Sequence, residues 1–215
     1  MKQLLIVAFG CAALAGECVA QSNAPVPAPD VRVQDSWKYR RVDNANNRTL
    51  EPIEVLVTSL EGKTILTAVY RGGAPGDSRW TPEWNGIALD SGWVFSTESG
   101  LFKFPLQVGS SHDVAYEAEH KAYGLRLKFS GKSSVAGWEE VVVPAGRFQA
   151  VKIEVNGRYD RFDKRGTSAE GADRRTSSPV QETIWYAPSV RRWVKRVYVD
   201  VDINQAEELV SYRLR

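Results

Sequence analysis

Two histidines and two adjacent glutamates are the first places to look for chemistry in this chain. His112 and His120 bracket Glu117 and Glu119. In a helix, two such histidines fall two turns apart on roughly one face. A zinc site of the His-Glu-x-x-His kind needs ligands at i and i+4, and this stretch lacks that pair. The pattern reads as two solvated histidines with no metal site. Serine, histidine and aspartate all occur, but no Gly-x-Ser-x-Gly elbow offers a nucleophile on a strand-turn-helix. Glu139 and Glu140 are neighbours, so on a strand they point to opposite faces and make no glycosidase pair. No catalytic residue and no cofactor are expected.

The tryptophans point elsewhere. Seven occur in 215 residues. Trp80, Trp84 and Trp93 lie in or beside an irregular Gly- and Pro-rich loop at 72–86, where they are expected to line a sugar or lipid pocket. Trp138, Trp185 and Trp193 lie on or next to strands and are expected in the core, because Trp brings a large apolar area. Arg191, Arg192, Lys195 and Arg196 follow a turn at Pro188. Arg161, Lys164, Arg165, Arg174 and Arg175 lie in a polar connection at 158–180. If these two regions approach each other, they face an anionic surface such as phospholipid head groups or lipopolysaccharide. The competing reading is a solvated face balanced by Asp160, Asp163, Glu170 and Asp173. The ligand-binding candidates are therefore Trp80, Trp84, Trp93, Arg191 and Arg192. Nucleic acid is not an expected partner, since no recognition motif interleaves with the charge.

The elements that must position these residues are strands. Residues 137–159 read as a hairpin. Val141, Val142 and Val143 lead to a Pro144-Ala145-Gly146 turn, and Val151, Ile153 and Val155 then alternate with Lys152, Glu154 and Asn156. Trp37 and Tyr39 share one face of a first strand. Ile53, Val55 and Val57 turn at Glu61-Gly62-Lys63 and return as Ile65, Thr67 and Val69. Short strands are expected near 93–95 and 101–104, and another at 125–130. Residues 114–123 form the only helix-like window. The connection at 158–180 reads as a mobile hairpin loop. Strands follow at 182–187, 193–201 and 208–214. Many strands with turns between them and almost no helix imply an all-β fold. About ten strands are expected in one strongly curved antiparallel sheet or an incomplete barrel, with a two-sheet sandwich as the alternative.

The amino-terminal segment carries an address. Residues 1–20 have a basic start at Lys2, an apolar run from Leu4 to Ala15, and small residues Cys18 and Ala20 before a polar break, as in a secretory signal peptide. The run is shorter than the ~20 residues that span a bilayer. A lipidation site at Cys11 fits the preceding Ala8-Phe9-Gly10 only loosely. Both cysteines lie in this leader, so cleavage after Ala20 leaves a mature chain without disulfides. The net charge of +2 is unchanged by cleavage, because the leader holds one Lys and one Glu. Residues 21–30 form a Pro- and Ala-rich spacer, extended and mobile. Residues 31–215 form one β domain, with no transmembrane span once the leader is removed.

The Val-Pro-Ala-Gly turn with Phe148-x-Ala150-x-Lys152-Ile153, the Trp185-Tyr186-Ala187-Pro188-x-Val190 strand, the Glu208-Leu209-x-x-Tyr212 ending and the opening Trp37-x-Tyr39 together resemble uncharacterised exported bacterial proteins. The resemblance covers most of the mature chain and implies a sheet layout. In outline the architecture is similar to lipoprotein-carrier half-barrels of the LolA/LolB type. The expected function is a non-catalytic periplasmic or secreted envelope protein. It would bind a lipid or another amphipathic ligand in its curved sheet. The alternatives are a glycan-binding module, a protein-interaction module and, last, a hydrolase. The sequence does not address oligomeric state.

Overall fold

The computed structural model describes residues 24–167 and 173–215. Period-two patterning becomes strand almost everywhere. The twelve strands are β1 (Ser36–Asp43), β2 (Arg48–Glu61), β3 (Thr64–Tyr70), β4 (Gly76–Trp80), β5 (Gly86–Ala88), β6 (Trp93–Phe95), β7 (Ser111–His120), β8 (Leu125–Val143), β9 (Gly146–Thr167), β10 (Asp173–Ala187), β11 (Arg192–Val199) and β12 (Asn204–Arg213). Each pairs antiparallel with its sequence neighbours, and β12 returns to pair with β1. The result is a closed up-and-down barrel.

Closure corrects the expectation of a single open sheet or incomplete barrel, and it removes the sandwich alternative. The physical reason lies in β12. Its Glu207 and Glu208 stand opposite Arg41 and Arg40 on β1, and opposite Arg196 and Lys195 on β11. Opposite charges directly across a strand pair favour that pairing, so β12 has complementary partners on both sides. Arg40 donates to Glu208 at 2.6 Å, and Lys195 lies 3.1 Å from the same carboxylate. A closed barrel also leaves no unpaired edge.

The expected inward faces are inward. Trp37, Tyr39, Ile53, Val55, Val57, Ile65, Thr67 and Val69 are all buried, as are Val151, Ile153 and Val155. On β8 and β9, Gly131 faces Gly157 across the ladder. The ring of Phe129 lies over both. A Cβ on Gly157 would meet that ring at 2.6 Å and the Ser130 carbonyl at 2.5 Å. Glycine is required there by this close approach, not by φ.

Three local expectations change. The window at 114–123 is not helical: it is β7, followed by one 3₁₀ turn over Lys121–Tyr123. Its Val114 and Ala118 point inward, and pairing with β8 over the whole of β7 overrides local helix preference. The connection at 158–180 is not loop through its length. Arg158 to Asp163 pair with Pro179 to Arg174, and β9 runs on to Thr167. Polar residues on both faces hid the strand, because this part of the hairpin stands at the barrel rim. The segment before the domain is tied down at Val26, whose backbone exchanges two 2.8 Å hydrogen bonds with Leu106. The expected signal peptide at 1–20 and the start of the spacer lie outside the described residues. No helix among the described residues is long and apolar enough to cross a membrane.

Candidate functional site: an aromatic-floored cavity in the barrel

In an up-and-down barrel, alternate turns gather at opposite ends. The turns after β1, β3, β5, β7, β9 and β11 form one end. The other end holds the remaining turns and the long β6–β7 connection. That connection folds under the barrel as a floor. Asn85 clamps it: its side-chain amide donates to Phe102 O at 2.9 Å, and its oxygen accepts from Phe102 N at 2.9 Å. Ser99 Oγ accepts from Gly86 N, and Ser133 Oγ donates to Leu101 O. Phe102 then reaches across to stack on Trp193, with centroids 6.4 Å apart.

The floor is completed by an aromatic cluster. Trp84 packs edge-on against Trp37, Trp80 and Trp193, with centroids 5.4–6.4 Å apart. The indole N–H groups of Trp37 and Trp84 donate to the carbonyls of Val190 and Arg191, both at 2.8 Å. These bonds staple the turn between β10 and β11 beneath the barrel. Arg192 lies inside the cluster, 2% exposed. Its guanidinium carbon is 4.0 Å from the Trp193 ring and 4.1 Å from that of Trp84. Burial pushes its pKa down to about 10, which leaves it charged at neutral pH. Its Nε and Nη1 have no hydrogen-bond partner among the described residues, so the ring faces supply much of its stabilisation.

Above this floor is a cavity of about 760 Å³. Its lower wall is apolar, with Trp80, Trp84, Trp93, Phe95, Phe102 and Trp193 prominent. Its upper wall is polar and includes Tyr159, Glu182, Arg196 and Tyr198. It reaches solvent beside Asp200, Val201, Asp202 and Ile203, at the turn between β11 and β12. Arg196 and Glu182 form a close ion pair in the wall. Burial works against the Arg196 charge, but the Glu182 and Glu207 carboxylates outweigh it and hold the guanidinium charged.

A chain of hydroxyls runs up the same wall. Tyr116 and Tyr159 share a 2.7 Å hydrogen bond. Tyr159 and Tyr198 are also hydrogen-bonded. Tyr198 donates to Asp200 Oδ2 at 2.9 Å. Burial raises all three phenols above their ordinary range, so they remain protonated at neutral pH.

The five candidate residues separate. Trp80, Trp84 and Trp93 all line the cavity. They do so as interlocked rings and not as a flat exposed row. Arg191 and Arg192 lie at the opposite end from the mouth, away from the 158–180 hairpin. Arg191, at φ 59°, donates to the buried carboxylate of Asp35 at 3.0 Å. Arg192 is enclosed by rings, so it forms no rim. The two histidines are on a strand, about 26 Å apart at ~3.3 Å per residue. Each gives a ring nitrogen to a backbone carbonyl, His112 to Gly100 and His120 to Ser91. Glu139 accepts from Trp185, and Glu140 from Arg147, on the barrel exterior. Trp193 is core, whereas Trp138 and Trp185 are half-buried. The tyrosine chain and the Arg196–Glu182 pair escaped sequence reading. Their only sequence signal was polar residues at inward positions of β10 and β11.

No family model matches the chain, and no curated protein matches it. Solved structures do. A candidate lipoprotein of Parabacteroides distasonis superposes with a TM-score of 0.56 at 12% identity, over 88% of this chain and 100% of that one. A candidate exported protein with a YmcC-like fold from Bacteroides fragilis gives 0.54 at 12% identity, over the same shares. The chain thus shares its all-β fold with uncharacterised exported and lipoprotein-like proteins of bacteria, and the LolA/LolB likeness gains no support from them.

Proposed function

We propose that this protein is a non-catalytic envelope protein, exported by its leader at 1–20, whose barrel holds one small amphipathic molecule. The observation that carries this reading is the cavity: about 760 Å³, aromatic below and polar above. Sites for single small molecules are concave, fall in the range ~300–1,000 Å³, and combine apolar walls with a few placed polar groups. That volume suits one chain-sized amphiphile and is too small for a lipopolysaccharide. Tryptophan rings that pack edge-on against one another form an apolar bed and leave no planar platform for a sugar. The names of the structural neighbours, as exported and lipoprotein-like proteins, agree with an envelope location.

Native mass spectrometry of protein purified from its own envelope tests the reading. A co-purifying mass of small-molecule size is expected. Ala118, buried and in the cavity wall, provides the control. Ala118→Phe fills the space, and the folded variant should carry no such mass. An empty native protein that also takes up no added amphiphile would refute the proposal.

A further inference from the structure

The direction of the tyrosine chain restricts what the cavity can hold. Asp200 acts as an acceptor at both oxygens. Oδ2 takes the Tyr198 hydroxyl, and Oδ1 takes the backbone N–H groups of Asp202 and Ile203 at 2.8 and 2.7 Å. Each phenol has a single proton to donate. With the Tyr198 proton on Asp200, Tyr198 can only accept from Tyr159. Tyr159 can then only accept from Tyr116. All three protons point toward Asp200, and the Tyr116 oxygen remains as an acceptor at the cavity end of the chain.

The ionised side chains of the wall agree. Arg161 and Arg196 face Asp163, Glu182, Asp200 and Asp202. Arg196 is committed to Glu182. Arg161 is then set against three carboxylates at the mouth. An anionic head group would meet acceptors and negative charge there. A protonated amine would meet both a charge and lone pairs that suit it.

We infer that the amphiphile held in the barrel carries a protonated amine at its polar end, placed near Tyr116, Asp200 and Asp202, with its apolar chain on the tryptophan floor. This inference rests on the binding reading above and specifies its ligand class.

The test uses decylamine, decanoate and decanol, three probes with one chain length and different heads. Each is titrated into the mature protein below its micelle concentration at neutral pH and low salt. Tryptophan fluorescence reports binding, and far-ultraviolet circular dichroism verifies folding. Decylamine is expected to bind about tenfold more tightly than decanoate, a difference of about 1.4 kcal/mol. Added salt should narrow that gap, because charges at the mouth are screened. Asp202→Asn, at an exposed turn position, should weaken decylamine several-fold and leave decanol unchanged. Tyr116→Phe should do the same by removing the acceptor. Equal or tighter binding of decanoate or decanol would overturn the amine assignment and leave the binding reading intact. Binding of none of the three would overturn both.

Discussion

Asp35 shows how much one residue can hold at the closed end of this barrel. Its side chain is fully buried. It accepts from Arg191 Nη1 at 3.0 Å, from the backbone of Arg32 at 3.0 Å and from the backbone of Arg215 at 2.7 Å. The entry to β1, the turn before β11 and the carboxyl terminus therefore meet on one carboxylate. Removing it strands a charged partner and two backbone donors. Asp35→Ala is expected to cost about 3 kcal/mol in urea unfolding, as for other broken buried pairs. Arg191→Gly should cost less, about 1 kcal/mol, because the carboxylate keeps its backbone donors and glycine relieves the left-handed backbone. Equal losses would show that the ion pair, and not the carboxylate's three-way junction, is what matters.

Among the elements, β12 decides whether the sheet closes. Burial raises the pKa of Glu208, but Arg40 and Lys195 outweigh it and hold the carboxyl below its ordinary value of 4.5. A carboxylate with a lowered native pKa binds fewer protons folded than unfolded. Its stabilisation is therefore present above the unfolded value and is lost as pH falls through the native one. Glu208→Gln should be less stable than the parent at neutral pH. That difference should shrink as pH drops below about 4.5. Denaturant midpoints measured across this range check the sign. A constant difference would mean that β12 is held by backbone pairing and packing alone.

For the whole molecule, closure has a direct readout. In an open sheet the first or last strand has one unpaired edge, and its amides exchange readily. Here β1 is paired on both sides, with β2 and with β12. Amide hydrogen exchange should therefore protect Trp37, Tyr39 and Leu209 about as strongly as Val151 and Ile153. Those residues are all buried. Slow exchange at β9 with fast exchange at β1 would indicate an open barrel. Closure also bears on function, because the cavity wall is drawn from strands all around the ring. The wall exists only when the seam between β1 and β12 is shut.

The sequence by itself determined the strands and most of their inward faces. Alternation is a local property, and Trp37-x-Tyr39, Ile53-x-Val55-x-Val57 and Val151-x-Ile153-x-Val155 carry it in consecutive residues. It also pointed to Trp80, Trp84 and Trp93, because large aromatics beside a Gly/Pro loop have few other uses. It could not place Arg192, since an arginine in a basic run reads as solvated until four tryptophans from three separate segments and its own strand enclose it. It could not join Tyr116, Tyr159, Tyr198 and Asp200, which stand on β7, β9, β11 and the turn after β11. Nor could it show that 158–180 is paired strand, because a hairpin at the rim has no buried face to impose a period. Barrel closure was likewise undecidable from local pattern, because β1 and β12 lie at opposite ends of the described chain. Only the curvature and register of the whole sheet bring their charges opposite one another. The cavity depends on that same closure, since the wall residues come from strands far apart in sequence.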